Sequence, residues 1–491
     1  MLFNSTDFVF FFIVVFCLYW AVPFKVQNWL LILASYVFYG WWGWWSPDLH
    51  GFEKVLPLVL LILSTVATYY CALALAPHEE GSPRRRLWFW VGVAVNVGML
   101  GYFKYRGFFL ENAQAAAQAM GWNVSWLQQN FLLPAGISFY TFQGLSFLID
   151  VHGGSQKPPQ RFWDFALFHA YFPQLVAGPI ERTPRLLPQL MKERTLTPER
   201  LWSGLQLIVI GYVKKVAIAD AVAPMTAAAF SPKEPTTAAG LLLGVYLFAL
   251  QIYGDFSGYS DIARGCSRLL GVELTINFRQ PYFSRNITEF WERWHISLST
   301  WLRDYLFMPL CRVLRGKKGV LLSLFLTMLI SGLWHGASWN FVAWGAVLGL
   351  MLVFHKLWAG PKAGKHPHRP QTAHAWLVQL GGMALTFHCV CLTLIFVKTT
   401  SIAEAWRVIS GIGTGTESGW MQPPDLIPLI YFLFYAAVVV LLDTPCWWHN
   451  RERPVSDEAP SWRRGVVFGT LLILLAFLGE TEAVSFVYFQ F

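Results

Sequence analysis

Two stretches decide how this chain reads: FWERWHISLSTWLRDYLF at residues 290–307 and SGLWHGASWNF at residues 331–341. Each sets one histidine, His295 or His335, among aromatic residues, and Arg312, Arg315, Lys317 and Lys318 lie between them. A second basic segment, residues 356–369, follows. Lys and Arg clusters between apolar runs stay on the cytoplasmic side of a membrane. Between the two clusters the chain must therefore leave and come back. Residues 320–334 supply roughly fifteen residues, about 22 Å of helix against a hydrocarbon core of about 30 Å. His335, at the turn before GASWN, is expected deep, towards the external side. Gly332 and Gly336 permit close helix approach or an irregular turn there.

Composition supports the membrane reading. Of 491 residues, 55% are hydrophobic, 17% aromatic and only 13% charged, where soluble domains carry about a quarter charged. The formal charge of +9 is scattered in short clusters as loop topology requires, so no nucleic-acid partner is expected. Cys17, Cys71, Cys266, Cys311, Cys389, Cys391 and Cys446 lie mostly in apolar surroundings without paired metal spacing, and no metal is expected.

Apolar runs recur from end to end without a long polar interruption, so one membrane domain, 1–491, is expected. Its parts are N-terminal helices (1–130), a core (131–358) and C-terminal helices (376–491). Residues 8–22 lack a preceding Lys or Arg and a clear cleavage site, and read as a retained transmembrane helix. Spans at 29–45 and 56–76 precede Arg84, Arg85 and Arg86, which places Met1 outside. After a span at 87–103, residues 111–130 read as an external amphipathic segment with Trp122 and Trp126 at the interface; Lys104 and Arg106, also external, fit the charge rule poorly. Ser138, Tyr140, Thr141 and Gln143 interrupt the span at 132–150, as cavity lining or as helix-to-helix hydrogen bonds. Residues 162–176, short and followed by Gly178 and Pro179, read as re-entrant or interfacial. Spans at 205–222 and 241–253 follow, the latter running into the polar GDFSGYSDIARG at 254–265. Residues 378–397, 426–442 and 466–478 complete an all-α polytopic protein of roughly eleven spans. Residues 398–425 come out external.

Asn286 and Glu289 form a capping box ahead of an aromatic run. Phe290, Trp294, Trp301 and Tyr305 fall near one face of an amphipathic interfacial helix. His295 there either points into a tunnel mouth or is a hydrogen-bonded interfacial histidine. A neutral imidazole at His335 would take a proton from an attacking hydroxyl and return it to a leaving thiol. A lone histidine in an apolar run is more often structural, but ionisable residues inside a membrane are functional candidates by default. Ser338 lacks a nucleophile elbow, so no acyl-serine is expected. His366, His368 and His374 sit in a Pro- and Gly-spaced loop that reads as solvated, and His388 is a decoy.

LPAGISFYTFQ (133–143), FPQLVAGPIER (172–182), DFSGYSDIA (255–263), residues 277–307, GLWHGASWNF (332–341) and FVYFQF (486–491) occur in this order. In them the chain resembles the membrane-bound O-acyltransferases, specifically the bacterial alginate O-acetyltransferase branch. The resemblance implies a helical bundle around a central tunnel, with re-entrant and interfacial helices, in the bacterial inner membrane. It implies catalytic roles for His335, matching the family's invariant histidine, and for His295, matching its second. No bound cofactor is implied; acetyl-CoA is the expected acyl donor, and the acetyl group passes outward to a polysaccharide directly or through a periplasmic transferase partner. A D-alanyl or other acyl group is the alternative within the family. Asp255, Asp261 and Asp304 fall in family motifs without an assigned step, and VHGG at 151–154 departs from the usual tyrosine and arginine. A transporter or flippase would also use buried polar groups, but transporters commonly carry internal repeats and no convincing one is present.

Overall fold

A computed structural model describes residues 1–45, 50–122, 133–231, 236–360, 370, 372–416, 418–456, 461–479 and 486–487. Among these the chain is helical throughout, with no strand beyond one isolated bridge between Thr416 and Gly419. Eight described helices are long and apolar enough to cross a membrane, and Thr6–Ala21 is a shorter apolar one. The polytopic all-α class stands, whereas the expected number of about eleven spans is not reproduced by this count.

Short polar residues start these helices by accepting the first orphan amides. Ser5 accepts from Phe8 N, Ser82 from Arg85 N, Thr372 from Ala375 N and Ser401 from Glu404 N. Large apolar side chains also face outward: Phe10 is 71% exposed, Leu441 73% and Phe477 84%. Water would penalise such surfaces, while hydrocarbon accepts them. Ser461–Leu478 shows this most, with 6% of its residues buried.

The described chain forms two compact units, one of residues 1–205 and 263–275, the other of 206–262 and 276–491. In the first, residues 162–176 form a broken element: Phe162–Ala170 is helical, Tyr171 breaks it and Phe172–Leu175 adds one turn. Gln143 Nε2 donates to the Phe168 carbonyl at 3.2 Å, a hydrogen bond from one helix to another. His169 is held between Thr65 Oγ1 and the Tyr140 carbonyl.

Three expectations change. The helix Pro83–Ala119 runs on past residue 111 with a π turn at Gly101–Tyr105, so the first part of the segment read as separate is joined without a break to the helix before it. Trp126 lies outside the described residues. GDFSGYSDIARG does not follow a span but lies within Ala238–Leu269. Its acids can stay helical because ion pairs answer them: Lys215 Nζ bridges Asp220 and Asp255, each at 2.7 Å, and Lys214 Nζ reaches Asp261 at 2.8 Å. The third change is at residues 290–307. Instead of one amphipathic helix there are Ile287–Arg293 and Ile296–Leu302, then a π turn Arg303–Phe307. His295 stands at the break in the left-handed region, φ 44°, which interrupts the 3.6-residue periodicity on which the single-helix reading relied.

Candidate active site

His335 is the last residue of Gly316–His335, which turns back through residues 336–338 into Trp339–Ala359. The turn is tight because glycines allow it. A Cβ on Gly336 would clash with the Phe341 ring, and one on Gly332 would clash with the Phe341 carbonyl oxygen and lie 2.8 Å from Gly345 Cα. The two helices therefore meet backbone to backbone just before the imidazole. Asn340 Nδ2 donates to the Thr399 carbonyl at 2.7 Å, and Trp344 Nε1 donates to Thr393 Oγ1 at 3.2 Å. These bonds fix Trp344, whose ring meets His335 edge-on at 5.0 Å.

His335, Trp344, Trp291, Trp294, Phe290 and Tyr282 line a cavity with about 20 Å³ of free volume, room for one or two waters. Thr393 is a polar element in its otherwise largely apolar wall. The wall is built from separate parts of the second unit, so a cavity of this kind is invisible to local spacing.

His295 is fully buried. Its Nδ1 lies 3.2 Å from Asn277 Oδ1, which also accepts from Ser297 N at 3.2 Å and Ser297 Oγ at 2.9 Å. A backbone N–H can only donate, so this amide oxygen is an acceptor and His295 Nδ1 carries the proton. Nε2 is then the basic nitrogen. Burial lowers the His295 pKa from 6.5 to about 3, so the ring is neutral at physiological pH. The helix before it is clamped by Glu289, which takes hydrogen bonds from the Arg285 and Arg293 guanidinium groups. Burial pushes the Glu289 pKa up, but Arg285 and Arg293 outweigh it and hold the carboxyl below its usual range. The expected capping box is half present: Asn286 Oδ1 accepts from Glu289 N, while the Glu289 carboxylate accepts from Arg285 N instead.

The two histidines share a neighbour. Trp334 has its ring 6.4 Å from that of His295 and 4.9 Å from that of His335. Phe256 packs edge-on against His295 at 4.6 Å, and Phe278 stacks on it at 6.5 Å. Two buried imidazoles against one indole, beside a small aromatic cavity, suit proton transfer to and from an enclosed substrate. Asp255 and Asp261 are occupied in ion pairs, and Asp304 pairs with Arg303 at 2.7 Å. His388 stacks on Tyr246 at 5.5 Å, and His366 and His368 lie outside the described residues. Asn277 and Trp334 were not singled out by sequence reasoning, although both lie inside motifs; the available signal was that the long matching stretch begins at Asn277.

Residues 155–360 match the model of the MBOAT, membrane-bound O-acyltransferase family. The chain is 38% identical over 413 residues to a probable alginate O-acetylase of Pseudomonas aeruginosa, covering 83% of this chain and 74% of the relative. The chain belongs to the membrane-bound O-acyltransferase family. A probable alginate O-acetylase of Pseudomonas syringae is 41% identical, over 72% of this chain and 66% of the relative. A peptidoglycan O-acetyltransferase of Helicobacter pylori is 32% identical, over 84% and 80%. As a member of the family, the chain is a multi-pass membrane protein of the O-acyltransferase class. His295, His335, Asn277 and Trp334 all fall within the matched region.

Proposed function

We propose that the protein transfers an acetyl group from acetyl-CoA, presented at the cytoplasmic face of the bacterial inner membrane, for O-acetylation of an extracytoplasmic polysaccharide, directly or through a periplasmic transferase. The observation that carries this reading is His335 in the wall of the aromatic cavity, sharing Trp334 with His295. His335 acts as the base: it takes the proton of the acceptor hydroxyl as the oxygen attacks the thioester carbonyl carbon. The C–S bond breaks, and the imidazolium returns the proton to the thiolate, so the free thiol leaves. His295 assists as a neutral partner whose proton is held on Nδ1 by Asn277.

One feature of the cavity favours acetyl over a D-alanyl group. The wall is mostly apolar, so an ammonium group there would lose its hydration without a matching charge. The relatives named as acetylases and acetyltransferases support the same choice.

The test is turnover of radiolabelled acetyl-CoA by purified protein in liposomes, with glycan acceptor outside, for wild type and His335→Ala. Label on the outer acceptor that depends on His335 is the expected result. Label that crosses still joined to its donor, whatever stands at residue 335, would establish a transporter instead.

A further inference from the structure

A second cavity lies in the same compact unit. It is a cleft of about 520 Å³ whose wall includes Arg279, Gln280, Asn450, Arg451, Glu452 and Arg453. Three guanidinium groups face one carboxylate. Arg453 Nη1 is engaged by Gln206 Oε1 at 2.6 Å. Arg279 and Arg451 pair with no carboxylate among the described residues, and both are exposed.

The backbone around the cleft is held in an unusual way. Only three described non-glycine residues have positive φ: Gln280 at 46°, His295 at 44° and Asn450 at 50°. Two of them line this cleft and the third is the candidate active-site histidine. Left-handed backbone is costly for residues other than glycine and concentrates at functional sites. The cleft and the histidine also share a segment. Arg279 N donates to the Arg293 carbonyl at 3.0 Å, and Arg293 Nη1 returns a bond to the Arg279 carbonyl at 3.1 Å. Asn277, two residues earlier, holds His295.

We infer that this cleft is a phosphate-binding site, and that its occupant is the nucleotide phosphate moiety of the coenzyme A thioester. Planar guanidinium groups recognise phosphate oxygens in pairs, and the cleft has the size of a ligand pocket. The anchored head would leave the thioester, at the far end of a flexible arm, to enter the histidine site. The occupant, though not the anion chemistry, rests on the acetyl-CoA reading above. A phospholipid headgroup offers the same phosphate chemistry, and the experiment separates the two.

The experiment is calorimetric titration of the full-length protein in phosphatidylcholine nanodiscs with coenzyme A, inorganic diphosphate and pantetheine. Coenzyme A is expected to bind wild type and His335→Ala alike, less tightly as salt rises. Arg279→Gln and Arg451→Gln should each weaken it about tenfold, and Glu452→Gln should tighten it; the weak binding of pantetheine should not change. Unchanged coenzyme A binding in a folded Arg279→Gln/Arg451→Gln protein would overturn the site. Arginine-dependent diphosphate binding that phosphatidylglycerol nanodiscs abolish, with no binding of coenzyme A, would give the cleft to a lipid headgroup and overturn the donor assignment. Arginine-dependent binding of coenzyme A without any acetyl transfer would uphold the site and remove the proposed reaction.

Discussion

At the scale of single residues, the proposed chemistry rests on two imidazoles in different settings. His335 lines the cavity, so His335→Ala is expected to lower acetyl transfer by about 10²–10⁴-fold, the usual worth of a general base, with insertion and folding intact. Radiolabel transfer in liposomes measures it. On the proposed mechanism Asn277 acts through His295, as a positioning residue. Asn277→Ala frees the His295 tautomer and leaves the Ser297 amide without its acceptor, at a cost of about 1–3 kcal/mol. It is expected to lower the turnover rate more than it raises the donor KM, with Asn277→Asp restoring part of the rate. Equal losses of rate and stability would mark Asn277 as structural only. His295 also predicts a pH effect. The unfolded chain binds a proton at this residue below about pH 6.5, whereas the folded ring resists until about 3. Stability at His295 is therefore present above pH 6.5 and lost as pH falls through that window. The thermal midpoint of wild type should fall more steeply between pH 7 and 5 than that of His295→Asn.

At the scale of elements, the position of His335 depends on the contact between Gly316–His335 and Trp339–Ala359. A Cβ on Gly345 would lie 2.5 Å from the Met328 carbonyl oxygen and 3.0 Å from Gly332 Cα. Both neighbours are backbone and cannot yield cheaply. Gly345→Val is expected to destabilise the protein by about 1–3 kcal/mol, read as a lower thermal midpoint, and to reduce transfer because it moves the helix end that carries His335. The contact was partly legible in the sequence, where Gly332 and Gly336 beside a deep histidine already suggested close approach. The break at His295 was not. There His295 Nδ1 donates to Asn277, eighteen residues away, and a periodicity rule sees only neighbours along one helix. The helical continuation through the polar run at 254–265 was hidden for the same reason, since its partners Lys214 and Lys215 lie in an earlier segment.

At the scale of the whole molecule, the class followed from apolar runs and scattered charge, because hydrocarbon as a solvent imposes helices whatever the detailed sequence. The sidedness of the loops makes a separate prediction. A cysteine introduced at Ser410, in the helix Ile402–Thr414, should react with an impermeant thiol reagent in intact cells. Labelling only after the cytoplasmic side is opened would reverse the topology.

The left-handed backbone at His295 bears on how such sequences change over time. Asparagine and aspartate tolerate this conformation better than most residues, and either is one base change away from a histidine codon. The backbone therefore does not defend the imidazole: on the proposed mechanism, drift at this codon would keep the backbone conformation and lose part of the chemistry. Among related genomes, an asparagine here would mark a gene that has been released from selection for transfer while its fold persists.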